Sequence, residues 1–316
     1  MAKKKILGLP TPIFILGSIF FILFIIGFLA GPIGSNFISI DFPSWLVIDD
    51  PEVHLPAPEL FHFLGLPITN SLLASWLTVL VLIIGSFLIT RRMKLIPGRL
   101  QGTFEGILGY ILDFCTSIAG EKYGRKFFPV VITIFLYVLF NAWISLIPGF
   151  LSVTYTSHGH TYELLRGANT DINTPLAIAL ISFVFVEYYG LKTLGFSYLK
   201  KFFNFGALFR SAGKLFSGKL KEGLSGIFSG VIDAFVGILE GLSELIRIVS
   251  FSFRLFGNMT AGEILLLIVA YLVPLALSFV FYGLELFVGL IQAFIFAGLT
   301  LVFVSSAVTL HSSEEH

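Results

Sequence analysis

Cysteine is nearly absent from this 316-residue chain. Cys115 stands alone, so no intrachain disulfide can form. There is no Cys-x-x-Cys and no Cys/His cluster, so the spacing that structural metal sites use is missing as well. The six histidines offer no substitute: His54, His62, His158 and His160 fall in expected loops, and His311 and His316 at the tail. Neither a metal nor a cofactor is expected. Charge is scarce too, at 12% of residues against about 25% in soluble domains. A net charge of +1 leaves no basic footprint for nucleic acid.

Apolar residues fill the gap. They make up 56% of the chain, and a mean hydropathy of +0.94 places the chain in a lipid bilayer. Lys3, Lys4 and Lys5 precede an apolar run over 13–30, long enough to span. A cleaved signal peptide starts the same way, but the following FLAGPIGSN has no clear small-x-small cleavage site, so a retained span is expected. The loop to residue 66 carries Asp41, Asp49, Asp50, Glu52 and Glu59 and no Lys or Arg. The next run, 68–89, ends in Arg91, Arg92, Lys94 and then Arg99. The excess of basic residues at those two ends puts the N-terminus and the Arg91 end in the cytoplasm, with the acidic loop outside.

Further along, Phe104, Ile107, Leu108, Ile111, Leu112 and Cys115 follow helical spacing, which predicts an amphipathic interfacial helix. A polar turn is expected over 121–126, then a span over 127–147, an outer loop to Asn173 and a returning span over 175–190. From 192 to 229, Lys192, Lys200, Lys201, Arg210, Lys214, Lys219 and Lys221 alternate with Phe, Leu and Ile. Such a segment suits an interfacial helix on anionic lipid, or a surface for a stalk subunit. Four segments result: 1–66, an N-terminal span with the acidic loop; 67–196, membrane helices with the interfacial helix; 197–230, the basic amphipathic insertion; and 231–316, two long helices. The fold class expected is an all-α integral membrane protein with five or six membrane helices plus interfacial ones. The last two helices are expected to be long and strongly tilted: 240–271 alone would run ~48 Å at 1.5 Å per residue, beyond a ~30 Å hydrocarbon core.

Polar residues gather in that last segment. Residues 239–263 read LEGLSELIRIVSFSFRLFGNMTAGE, an apolar helix with Arg254 at its middle. A guanidinium at membrane depth costs ~2.5–3.5 kcal/mol on insertion scales, so it marks a pathway or a partner. Unlike Lys, it does not give up its proton. At 100° per residue Ser243, Arg247, Ser250, Arg254 and Asn258 share one face, with Glu240 close by. Ala261 and Gly262 continue that face with small side chains, suited to close helix approach. Glu263 lies about 180° round from Arg254, so the two cannot pair within the helix. An ion pair with an acid elsewhere in the chain is the competing reading for Arg254. On the following helix, over 275–310, Ser278, Glu285 and Gln292 recur every seven residues as a second polar stripe. Desolvation penalises the charged form of a carboxylate inside a membrane, which suits proton exchange; the alternative is a structural tie to a neighbour's backbone.

The RLFGNMTAGE core, with LEG upstream and QAFIF downstream, resembles subunit a of the F-type ATP synthase from about Asn70 to His316, apart from an insertion near 200–230. The resemblance implies a proton-conducting stator, not an enzyme by itself, with two offset half-channels. Its partners would be the c-subunit ring, b-type peripheral stalk subunits and the rest of the ATP synthase, within the lipid bilayer. It implies Arg254 as the essential cation between the half-channels. Glu263, Glu285, Asn258, Gln292, Asp171 and Asn173 would line the outer route, and Ser250, Arg247, Ser243 and Glu240 the inner one. In some members the Glu263 or Glu285 position holds His; here both are acids. For Asp171 and Asn173, helix capping ahead of Pro175 is an equal alternative. A bacterial cell membrane with both termini cytoplasmic is the expected location. Two other classes remain to be weighed. A stand-alone secondary transporter would show related halves around a midplane site, and no internal repeat is visible. A structural anchor would not need Arg254 and two glutamates in apolar helices.

Overall fold

The computed structural model describes residues 5–6, 9–35, 43, 57–63, 65–91, 93–147, 149–150, 153–157, 160–195, 198, 202 and 220–309. The fold is all-α, with six helical stretches long and apolar enough to cross a membrane. The long helices are α1 (Thr11–Ala30), α2 (Asn70–Thr90), α3 (99–119), α4 (121–145), α5 (Asn173–Leu194), α6 (Leu220–Leu272) and α7 (Ala276–Thr309). Short antiparallel hairpins pair Lys5–Ile6 with Leu9–Pro10, Glu59–Phe63 with Leu66–Thr69, and Thr154–Ser157 with His160–Glu163. The last of these lies where only an outer loop was expected.

The chain divides into two compact units. One comprises 1–80, 138–171 and 256–292; the other 81–137, 172–255 and 293–316. In the first, Ala74, Ile144 and Phe150 form a small core with Leu77, Phe140 and Leu165. The segment 163–171 is tied to the start of α2 by two hydrogen bonds. Asn70 Nδ2 donates to the Glu163 carbonyl at 3.0 Å, and Ser71 Oγ donates to the Asp171 carboxylate at 2.7 Å. Helix α1 brings Gly27 and Gly31 against the carbonyls of Pro274 and Leu272, so close that a Cβ on either glycine would collide with them.

In the second unit the turn between α3 and α4 falls on Gly120, at φ 73° and ψ 165°, a region open essentially to glycine alone. The polar turn expected over 121–126 is instead the first part of α4, where the exposed Glu121 and Arg125 pair at 3.4 Å with the i, i+4 spacing that supports a helix. α4 then folds back on α3, with a Cβ on Gly124 only 2.7 Å from the Cys115 carbonyl. Phe127, Phe185 and Tyr189 pack edge to face, and Phe251 meets Phe296 at 4.9 Å. The hydroxyls of Ser182 and Thr300 meet at 2.7 Å in the interior.

Helix α6 is longer than 240–271. At 1.5 Å per residue its 53 residues extend about 80 Å. Its backbone runs helically from Leu220 through residue 231. Lys200, Lys201, Arg210, Lys214 and Lys219 of the basic segment lie outside the described residues, as do Lys3, Lys4, Asp41, Asp49, Asp50, Glu52 and Arg92.

Candidate functional site

In the first unit, α4, the turn after the 160–163 strand, α6 and α7 enclose a cavity of about 170 Å³. Its polar lining comprises Asn141, Ser145, Asn169, Thr170, Glu263, Tyr282 and Glu285. The sequence singled out Glu263 and Glu285 on separate helices, and the fold brings them to one chamber. Glu285 is 8% exposed, and its carboxylate fills the space that a side chain on Gly262 would take. Gly262 is thus a clearance for a carboxylate as well as a point of close helix approach. Among the described residues, no hydrogen bond or ion pair engages Glu285.

Glu263 has a partner that sequence distance did not reveal. Arg166 Nε donates to its two carboxylate oxygens at 3.0 and 3.2 Å, from a side chain only 6% exposed. Asn141 braces the cavity wall: its Nδ2 donates to Thr78 Oγ1 at 3.2 Å and its Oδ1 accepts from the Asn169 backbone N–H at 3.2 Å. Thr78 in turn donates to the Ala74 carbonyl at 2.9 Å. The side-chain amide of Asn169 is buried with no hydrogen-bond partner among the described residues.

The other outer-route candidates sit apart from this chamber. Gln292 is buried and Asn258 exposed, and neither is part of its lining. Asp171 accepts the Ser71 bond, and Ile172, the residue that caps α5, makes no side-chain cap bond. Asn173, in the second unit, is exposed.

The inner-route residues all lie on α6 in the second unit. Glu240 and Arg247 share a small cavity of about 60 Å³ with Glu244, Tyr198, Phe303 and Ser306. Arg247 pairs with the buried Glu244 at 2.6 Å and lies 3.8 Å from the centre of the Phe303 ring. Ser243 and Ser250 are exposed and outside that cavity; Ser243 donates to its own helix at Leu239. Glu244 was missed, although its place four residues past Glu240 and three before Arg247 put it within reach of both.

Arg254 is exposed on α6. Its guanidinium donates to Ser250 Oγ at 3.4 Å and lies 5.9 Å from the Phe251 ring. Among the described residues no carboxylate of the chain pairs with it. Its neighbours along the same helix, Phe235, Leu242, Leu245, Val249 and Phe253, are exposed as well, with Leu245 and Phe253 each at 60%. At 100° per residue these apolar side chains lie about a third of a turn or more round α6 from Arg254, which shares its own face with Ser243, Arg247, Ser250 and Asn258.

The family described as ATP synthase A chain matches residues 72–305. The chain is 34% identical over 232 residues to the ATP synthase subunit a of Helicobacter pylori strain Shi470, covering 73% of this chain and 86% of that protein. It is 33% identical over 232 residues to that of Helicobacter acinonychis, with the same coverage. Against that of Gloeobacter violaceus it is 33% identical over 246 residues, 77% of this chain and 85% of the relative. With matches of that extent laid over six membrane-length helices, the chain belongs to the ATP synthase A chain family and is an integral membrane protein.

Proposed function

We propose that this chain is the proton-conducting stator subunit of a rotary ATP synthase, working against a moving ring of c subunits. The observation that carries the reading is Arg254: a permanent, exposed cation in an apolar helix, with no carboxylate of its own chain paired to it among the described residues. Such a charge at membrane depth calls for an anion from another chain. A ring carboxylate passing Arg254 would be favoured in its ionised form by the opposite charge nearby, and so would release the proton it carried. Because the guanidinium keeps its own proton, it also bars direct hopping from one half-channel to the other.

The chamber holding Glu263 and Glu285 supports the outer route. Its walls are mostly apolar, but polar side chains reach into it from α4, α6, α7 and the 168–170 turn, and the amide of Asn169, unpartnered among the described residues, suits it to water. Asn258, Gln292, Asp171 and Asn173 extend that route toward the ring and the outer surface. The cavity with Glu240 and Arg247 supports the inner route, with Ser243 and Ser250 along its side. The face of α6 that carries Arg254 is the one we assign to the ring, and b-type stalk subunits would meet the chain elsewhere. The basic residues Arg91, Arg99, Lys122, Arg125 and Lys126 support placing that side, and with it both termini, in the cytoplasm, and the family resemblance favours a bacterial cell membrane. The basic 197–230 segment would lie on the inner lipid surface.

The test is Arg254→Ala in vesicles that carry the assembled complex under a clamped proton gradient. We expect proton leak without ATP synthesis. Normal coupled synthesis in that variant would refute the role.

A further inference from the structure

The ion pair between Arg166 and Glu263 ties down one of the two carboxylates of the outer chamber, and the scheme above gives Arg166 no part. The two residues are 97 positions apart, one in the segment after the hairpin and the other on α6. Their side chains are 6% and 18% exposed, so the pair sits away from bulk water. Breaking such a contact leaves an uncompensated buried charge, which is strongly destabilising. Glu285, across the same chamber, has no such tie among the described residues and rests against Gly262. The two carboxylates that sequence reading treats alike are therefore not equivalent. One is clamped by a guanidinium; the other faces the open space of the cavity.

Resting on the stator reading, we propose that Arg166 is a positioning residue of the outer half-channel: its guanidinium fixes the Glu263 carboxylate to the chamber wall, so that Glu285 is the carboxylate that takes up and passes on the proton. Among the described residues, the charged and titratable groups around Glu263 are Arg166, which pairs with it from the loop, and Glu285 and Tyr282 of α7, which line the same chamber. With Arg166 in place, protonating Glu263 means breaking its ion pair, whereas protonating Glu285 breaks nothing. The proton goes from water in the chamber to a Glu285 oxygen and leaves from it toward the ring, with no bond made or broken at Arg166.

The experiment uses membrane vesicles with the whole complex, comparing Arg166→Gln, Arg166→Lys, Glu263→Gln and the double variant R166Q/E263Q. ATP synthesis per assembled complex is followed at fixed membrane potential while the outer pH is varied. Arg166→Gln frees Glu263 to compete for the incoming proton, so the outer proton concentration giving half-maximal rate shifts at least threefold and the rate falls. Arg166→Lys recovers most of the loss. Adding Glu263→Gln returns the profile to that of Glu263→Gln alone, an outcome that general damage to packing would not give. A wild-type profile in Arg166→Gln overturns the proposal, as does a double variant shifted as far as Arg166→Gln. Failure of both of these to assemble overturns it too, because Arg166 is then scaffold only. Arg254→Ala in the same vesicles separates the two levels: if it stays coupled, the stator reading falls, whereas an uncoupled Arg254→Ala beside an unshifted Arg166→Gln removes only this inference.

Discussion

The carboxylate of Glu285 occupies the volume into which a methyl group on Gly262 would project. The two helices α6 and α7 approach closely there because one of them has no side chain. Gly262→Ala is therefore expected to push Glu285 out of its place while leaving both helices formed. ATP-driven proton pumping should fall at least tenfold in complexes that still assemble, and undiminished pumping would show that Glu285 does not need that position.

Glu263→Gln and Glu285→Gln keep nearly the same volume and remove a charge. Each should slow proton uptake from the outer side without abolishing assembly, with Glu285→Gln the more severe. Vesicle proton flux under an imposed gradient is the measurement. Unchanged flux in both variants would take the two residues off the route.

Asn141 links α4 to α2 through Thr78 and to the 168–170 turn through the Asn169 N–H. Asn141→Leu leaves that buried N–H without its acceptor, a loss of about 1–3 kcal/mol. A lower thermal midpoint for the detergent-purified complex, together with slower proton uptake, is the expected result. Equal stability would mean that the chamber wall is held by packing alone.

Gly120 carries the turn that separates α3 from α4. Any β-carbon there meets a strained backbone, costing about 1–3 kcal/mol. Gly120→Val should lower the yield of membrane-inserted chain far more than Gly109→Val, a change in the middle of α3 where the added carbon meets open space. Comparable yields for the two would contradict the turn geometry.

Much of this architecture could be read from residues in order, because membrane helices announce themselves by long apolar runs. The starts of α2 and α5 fell within two residues of the expected spans, and the polar stripes of α6 and α7 were visible at helical spacing. The fold-back at Gly120 was harder. A charged stretch of six residues looks like a turn by composition, yet its Glu121–Arg125 pair favours a helix and the single permissive backbone position lies just before it. The pairing of Arg166 with Glu263 left no local trace at all. Arg166 stood in the outer loop among other charged residues, and only the tertiary path of the chain carries it to α6. Asn141 did leave a trace: a lone amide in the apolar run 127–147 asks for a buried partner, as Arg254 does in its own helix.

Helix α1 precedes the family match, which starts at residue 72, yet its Gly27 and Gly31 lie on the carbonyls of Pro274 and Leu272 where α6 hands over to α7. Carbonyls at the end of a helix have no intrahelical donor, and in hydrocarbon there is no water to supply one. The N-terminal helix thus covers backbone carbonyls at the end of α6. Removing it would uncover those carbonyls at the junction of the two helices that carry Glu263 and Glu285.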